Sequence, residues 1–158
     1  MIKTLQISEK EAWDLAFNAL VNNNTSEDNA KEVADALISA EFDGQAGHGL
    51  SRIPSYVEQL TAGKVKGTEA PSIISSKGSV IRVDAKNGFA YPAISLALKE
   101  ITTTCKNFGI AAASITRSHH FGQAGRHVEI LADNGLIGLM FGNTPKAIPP
   151  WGGTKALF

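Results

Sequence analysis

Three features of the sequence predict a mixed α/β fold. Residues 1–67 carry only helical periodicity, with apolar side chains returning every three or four positions. A stretch rich in Gly, Lys, Ser and Thr, with Pro71 inside it, then covers Lys64–Ser79. Beyond it the pattern becomes strand, helix, strand, helix, strand, the order that layers helices against a sheet. This divides the chain into a helical N-terminal region, 1–67, and the beginning of an α/β region, 68–158.

The elements follow from local signals. Ser8 with Glu11 forms a capping box, and Ala12, Leu15, Ala16, Ala19 and Leu20 mark a helix face that Trp13 and Phe17 widen. Asn22–Asn24 ends it. Thr25 with Asp28, or Ser26, opens a second helix through Val33, Leu37 and Phe42 to Gly44, a C-terminal glycine. A third helix is expected over Pro54–Ala62, stopped by Gly63. After the polar seam, Val80–Val83 has strand character and Asn87-Gly88 turn character. A long helix is expected over Ala93–Phe108, with Pro92 in its first turn and Gly109 at its end. Ile110–Thr116 is expected as a buried strand and Arg117–Gly125 as a loop. Val128–Asn134 is expected as a helix, Leu136–Phe141 as a further strand, and Gly142–Lys155 as a loop.

Composition excludes several classes of function. The 158 residues are 43% hydrophobic and 19% charged, with fifteen basic side chains balancing fifteen acidic ones. No basic patch stands out, so no nucleic-acid partner is expected. No apolar run approaches the roughly 20 residues that span a bilayer, so no membrane partner is expected either. The N-terminus shows no apolar signal region. Cys105 is the only cysteine, which precludes an internal disulfide and fits a reducing, cytoplasmic setting. It is expected to be a structural helix residue.

Two clusters carry chemistry. In Gly47–Tyr56, an imidazole, a guanidinium and a phenol stand four residues apart at His48, Arg52 and Tyr56. On one helix face they would suit a small carboxylate with a reactive oxygen beside it. Arg grips the carboxylate with its fork, and His exchanges a proton near neutral pH. Pro54 sets a condition: a helix starting near Ile53 would leave His48 on the preceding loop and undo the regular spacing. The second cluster, Thr116–Gly125, lies between a strand and a helix, where backbone N–H groups are exposed to ligands. Ser118, His119 and His120 supply donors, and Gly122 and Gly125 permit close approach of an anionic group to the helix start. The Gly-x-Gly-x-x-Gly dinucleotide fingerprint is absent. His119, His120 and His127 lack zinc spacing, so no metal is expected, and His127 is expected as a helix surface or packing residue. The alternative to catalysis is a non-catalytic α/β interaction domain with structural histidines.

Together the clusters resemble a known family. Asp-Gly-x-x-x-His-Gly-x-x-Arg-x-x-x-Tyr at Asp43–Tyr56, His-Phe-Gly-x-Ala-Gly at His120–Gly125, then Asn-Thr-Pro and a Pro-x-Gly-Gly loop within Asn143–Gly153 are similar to the type-2 malate/L-lactate dehydrogenases. That family includes sulfolactate, ureidoglycolate and diketogulonate enzymes and cyclic imino-acid reductases. The resemblance implies a non-Rossmann α/β fold, NAD or NADP as cofactor, a small 2-oxo or 2-hydroxy acid as substrate and a homodimer. It also implies a longer polypeptide, of which this chain would be the N-terminal part. His48 matches the family's proton donor, Arg52 the holder of the substrate carboxylate, and Tyr56 a residue of the same pocket. His120 matches a second histidine, acid/base in some members and cofactor contact in others. Phe121, Gly122, Gln123 and Ala124 fall on a cofactor-binding turn, and Asn143 (cofactor) and Thr144 (substrate) on another pocket loop. The sequence departs from the pattern at Gly47, where the family has a relay Ser, at His119, where Asn is common, and at His127, where Tyr is common. These departures bear on the substrate more than on the reaction class.

Overall fold

The computed structural model describes residues 6–143, 146 and 148–157. Helix α1 (Glu9–Val21) starts at Ser8, whose side chain accepts from the Glu11 N–H while the Glu11 carboxylate accepts from the Ser8 N–H. Helix α2 (Glu27–Phe42) is capped by Ser26. Thr25, the other candidate cap, is buried instead. Trp13 of α1 stacks on Phe17 and donates to Asp35 of α2, joining the two helices. After Gly44, whose φ of 69° is left-handed, the chain makes two single 3₁₀ turns, Ala46–His48 and Leu50–Arg52, before α3 (Ile53–Thr61).

A three-stranded sheet follows, in the order β1 (Ser72–Lys77), β2 (Val80–Asp84), β3 (Ala112–Thr116). The polar seam is therefore not all linker. Lys77 pairs with Val80 across a two-residue turn, and Gly78 supplies the positive φ such a turn needs. The sequence hid β1 because its Ile-Ile-Ser-Ser stretch does not alternate, and the strand is irregular between Ile73 and Ser75. Strands β2 and β3 are parallel and joined by α4 (Ala90–Phe108), which begins three residues before its expected start, with Pro92 still in its first turn.

Strand β3 is not the fully buried strand expected. Its residues alternate in burial and Ile110 stays exposed, because β3 is an outer strand with α4 against one face. Helix α5 (Ala124–Asp133) starts four residues earlier than the glycines suggested, with Gln123 at its cap. Leu136–Phe141 forms no strand. Leu136 and Met140 pack onto the α4–α5 core, while Ile137, Leu139 and Phe141 are 98%, 80% and 88% exposed. Its alternation is strand-like, but a strand exists only through a ladder, and no described strand lies beside it.

The helical core contains Leu20, Val33, Leu37, Tyr56, Val65, Phe89 and Tyr91, so both tyrosine rings serve as core apolar surface. At the far end of the sheet, ladder-like hydrogen bonds continue past the strands. Ala85 N–H donates to Thr116 O, Asn87 N–H to Arg117 O and His119 N–H to Gly88 O. Arg117, with a φ of 53°, also grips the Asp84 carboxylate through two nitrogens. This lacing aims the 118–122 loop back at α3. No described helix is long and apolar enough to cross a membrane.

Candidate active site

The regular spacing of His48, Arg52 and Tyr56 on one helix does not survive. His48 closes the first 3₁₀ turn, Arg52 ends the second, and Tyr56 lies inside α3, with Pro54 in the helix's first turn as its chemistry demands. The three are nevertheless brought to one place by a different device. The Leu50 N–H donates to Glu41 Oε1 at 2.7 Å, and Gly49 lets that carboxylate in: a Cβ there would lie 2.1 Å from the same oxygen. Glu41 thus pins the turn to the end of α2. Arg52 Nε donates to Gly47 O at 2.5 Å, which leaves both terminal guanidinium nitrogens without a protein partner among the described residues.

The second cluster meets the first. His120 stacks on His48, with ring centroids 5.3 Å apart and planes 10° from parallel. Its Nδ1 lies 3.0 Å from the Tyr56 hydroxyl, which lies 3.1 Å from the Tyr91 hydroxyl. His119 sits edge-on to Tyr56 and Phe89 and bonds Gln59 Oε1 through Nε2 at 2.9 Å. His127 is buried and donates from Nε2 to Phe121 O, so it is a packing residue. The Nδ1 atom of His48 is buried and has no protein partner.

Burial dominates the electrostatics. It lowers the pKa of His120 to about 4, helped by the Arg52 guanidinium and His48. His119 is lowered to about 4 by burial, then by His120, Lys64 and Arg52. Both imidazoles are therefore neutral at pH 7. Burial raises the Tyr56 and Tyr91 phenols, so neither ionises there.

Of the expected cofactor turn, Phe121 stacks on His120 at 6.2 Å and borders a cleft of about 590 Å³ between α4, β3, α5 and the 139–143 segment. Asn143 lines the same cleft. This cleft does not include His48, Arg52 or Tyr56; Phe121 links the two places. Gly122 takes a φ of 70° directly over the Tyr91 ring. Gln123 turns away from the cleft and donates to Asp43 Oδ2 at 2.6 Å, and Ala124 is the exposed first residue of α5. Thr144 lies outside the described residues. Sequence reasoning missed Tyr91, Gln59 and Phe89. Gln59 carried a signal, standing one helix turn after Tyr56. Nothing local ties Tyr91 or Phe89 to the site. Among the described residues, no group of three or more His, Cys, Asp or Glu could hold a metal ion.

Residues 7–158 match the profile of the malate/L-lactate dehydrogenase family. The chain belongs to that family. It is 45% identical over 152 residues to the (2R)-3-sulfolactate dehydrogenase (NADP(+)) of Chromohalobacter salexigens, covering 96% of this chain and 45% of that protein. It is 34% identical to the Delta(1)-pyrroline-2-carboxylate/Delta(1)-piperideine-2-carboxylate reductase of Pseudomonas syringae pv. tomato, covering 98% of this chain and 45% of that protein. The crystal structure of the piperideine-2-carboxylate reductase from that organism superimposes with a TM-score of 0.79 at 35% identity, over 84% of this chain and 40% of that one. The chain thus spans somewhat under half the length of these malate/L-lactate dehydrogenase relatives.

The described residues fit a nicotinamide cofactor. The cleft joins apolar walls from Ile94, Leu98 and Leu131 to the polar loop at Ser118. Phe121 and Asn143 both line that cleft.

Proposed function

We propose that the protein built on this chain is an NAD- or NADP-dependent oxidoreductase of small 2-oxo and 2-hydroxy acids. The observation that carries the reading is the meeting of His48 and Arg52, from one segment, with His120 from another, with the ends of the guanidinium unclaimed. Arg52 binds the substrate carboxylate by two parallel hydrogen bonds. That grip places C2 and its oxygen beside the two stacked imidazoles. A nicotinamide held in the cleft lined by Phe121 and Asn143 would supply or take up the hydride. His48 moves the proton at the C2 oxygen, and His120 donates a hydrogen bond from its neutral ring. Positioning of this kind contributes several kcal/mol, and general acid catalysis about 10²–10⁴-fold.

Cyclic imino acids fall within the substrate class, since they present the same carboxylate beside a reducible C2–nitrogen bond and a 34% identical relative bears the name of such a reductase. Against the non-catalytic alternative stands the Arg52 guanidinium, whose terminal nitrogens have no protein partner among the described residues while His48 and His120 stack close by. The assembly we propose is a homodimer, as the family resemblance implies, in the reducing cytoplasmic setting that a single cysteine fits. The test is NAD(P)H oxidation by the complete protein with oxaloacetate, pyruvate, a 3-sulfonated 2-oxo acid and cyclic imino acids. His48→Ala and His120→Ala should each lower kcat by about 10²-fold or more. Wild-type turnover in both variants would end the assignment.

A further inference from the structure

The hydrogen-bond chain behind His120 has a direction. Taken singly, either phenol could donate to the other, and either His120 tautomer could meet Tyr56. The Gly122 backbone removes the ambiguity. Its N–H can only donate, and it points at His120 Nδ1 from 3.3 Å. That nitrogen therefore carries a lone pair and not a proton. The Tyr56 hydroxyl, 3.0 Å from the same nitrogen, donates its hydrogen bond to it, and the Tyr56 oxygen is left to accept from Tyr91. The chain runs from Tyr91 to Tyr56 to His120, and the ring proton of His120 stands on Nε2.

We propose that Tyr91 is a positioning residue: acting through Tyr56, it holds His120 as the tautomer that donates from Nε2 toward the reacting atoms. The inference rests on the proposed function, in which His120 faces substrate and cofactor. Tyr91 touches neither. Its ring belongs to the helical core, where a phenylalanine would pack as well, so the hydroxyl needs a separate reason. Burying a hydroxyl costs free energy unless it is hydrogen-bonded, and its one partner is Tyr56. The fold also makes room for it. A Cβ on Gly122 would stand 2.6 Å from the Tyr91 oxygen, so the bare glycine both admits the hydroxyl and brings its own N–H to His120. With both phenols neutral, the chain conveys orientation and not charge.

The experiment uses the complete protein, labelled with ¹⁵N at histidine. In the unsubstituted protein at pH 7, His120 Nδ1 should resonate as an unprotonated acceptor and Nε2 as a protonated donor. A protonated Nδ1 would overturn the inference without any variant. In Tyr91→Phe, the two ring shifts should move toward one another as the other tautomer becomes populated, and kcat should fall about 3–10-fold with KM within about twofold. Tyr56→Phe should do the same more strongly. Adding Tyr91→Phe to Tyr56→Phe should then change nothing further, because the first acts through the second. Unchanged ring shifts in Tyr91→Phe, or an equal effect of Tyr91→Phe in both backgrounds, would overturn the proposal. The ring shifts decide the matter even if the protein turns over none of the acids offered, an outcome that would sink only the functional reading.

Discussion

Gly122→Ala is the substitution whose consequence follows most directly from the geometry. Gly122 has a φ of 70°, a region where an L side chain costs about 1–2 kcal/mol. The new methyl would also stand 2.6 Å from the Tyr91 hydroxyl oxygen and 3.0 Å from the Cε1 carbon of the same ring. That ring is buried and belongs to the core, so it cannot swing away, and overpacking of this kind costs about 1–3 kcal/mol. Together the two effects predict a loss of about 2–5 kcal/mol, or roughly 6–15 °C in Tm for a chain of this length. Urea denaturation, with the slope unchanged, is the assay. Tyr91→Phe separates the causes. Alone it should cost about 1 kcal/mol for the lost hydrogen bond. Combined with Gly122→Ala it should cost at least about 1 kcal/mol less than the sum, because the worst contact is gone while the backbone strain remains. Strict additivity, or a Gly122→Ala protein as stable as the parent, would refute this account of the loop.

Three further outcomes are expected. Because His119 and His120 have folded-state pKa values lowered to about 4 from 6.5, the unfolded chain binds more protons between those values. Stability should therefore be full above pH 6.5 and fall as pH drops toward 4, by about 2–3 kcal/mol after discounting for the partial solvent contact of both rings, with buried His127, also lowered by burial, adding to the fall; His119→Gln should make that slope shallower in denaturation at stepped pH. Arg52→Lys keeps the charge but loses the fork, and should lower kcat/KM of the complete protein by about 10–100-fold, mostly through KM for the acid. Gly125 lies in the first turn of α5 with open space around it, so Gly125→Ala should raise stability by about 0.5–1 kcal/mol in thermal melts.

The legibility of the fold differed from element to element for identifiable reasons. Helices α1 and α2 were plain because caps and periodicity are local: Ser8 meets Glu11 three residues away, and Ser26 meets Asn29. Strand β1 was missed because its only support is the ladder to β2, and no residue within Ser72–Lys77 announces it. Leu136–Phe141 erred in the opposite direction, with the pattern of a strand and no neighbour to pair with among the described residues. The expected start of α5 came late because Gly125 looked like loop, although a single glycine does not stop a helix from including it in the first turn.

The candidate site divides along the same line. Taken by itself, the sequence determined which chemistries are on hand: an imidazole and a guanidinium in one short segment, a pair of histidines in another, and glycines that a left-handed turn requires. Chemical identity and helix capping belong to residues and their near neighbours, so they survive being written as a string. Only the tertiary structure decided that His48 stacks on His120, that Tyr91 reaches His120 through Tyr56, and that Glu41 pins the turn carrying Arg52. Those partners lie between nine and seventy-two residues apart. Contacts at such separations come from the packing of whole elements, and the pKa values lowered to about 4 come from the burial which that packing imposes.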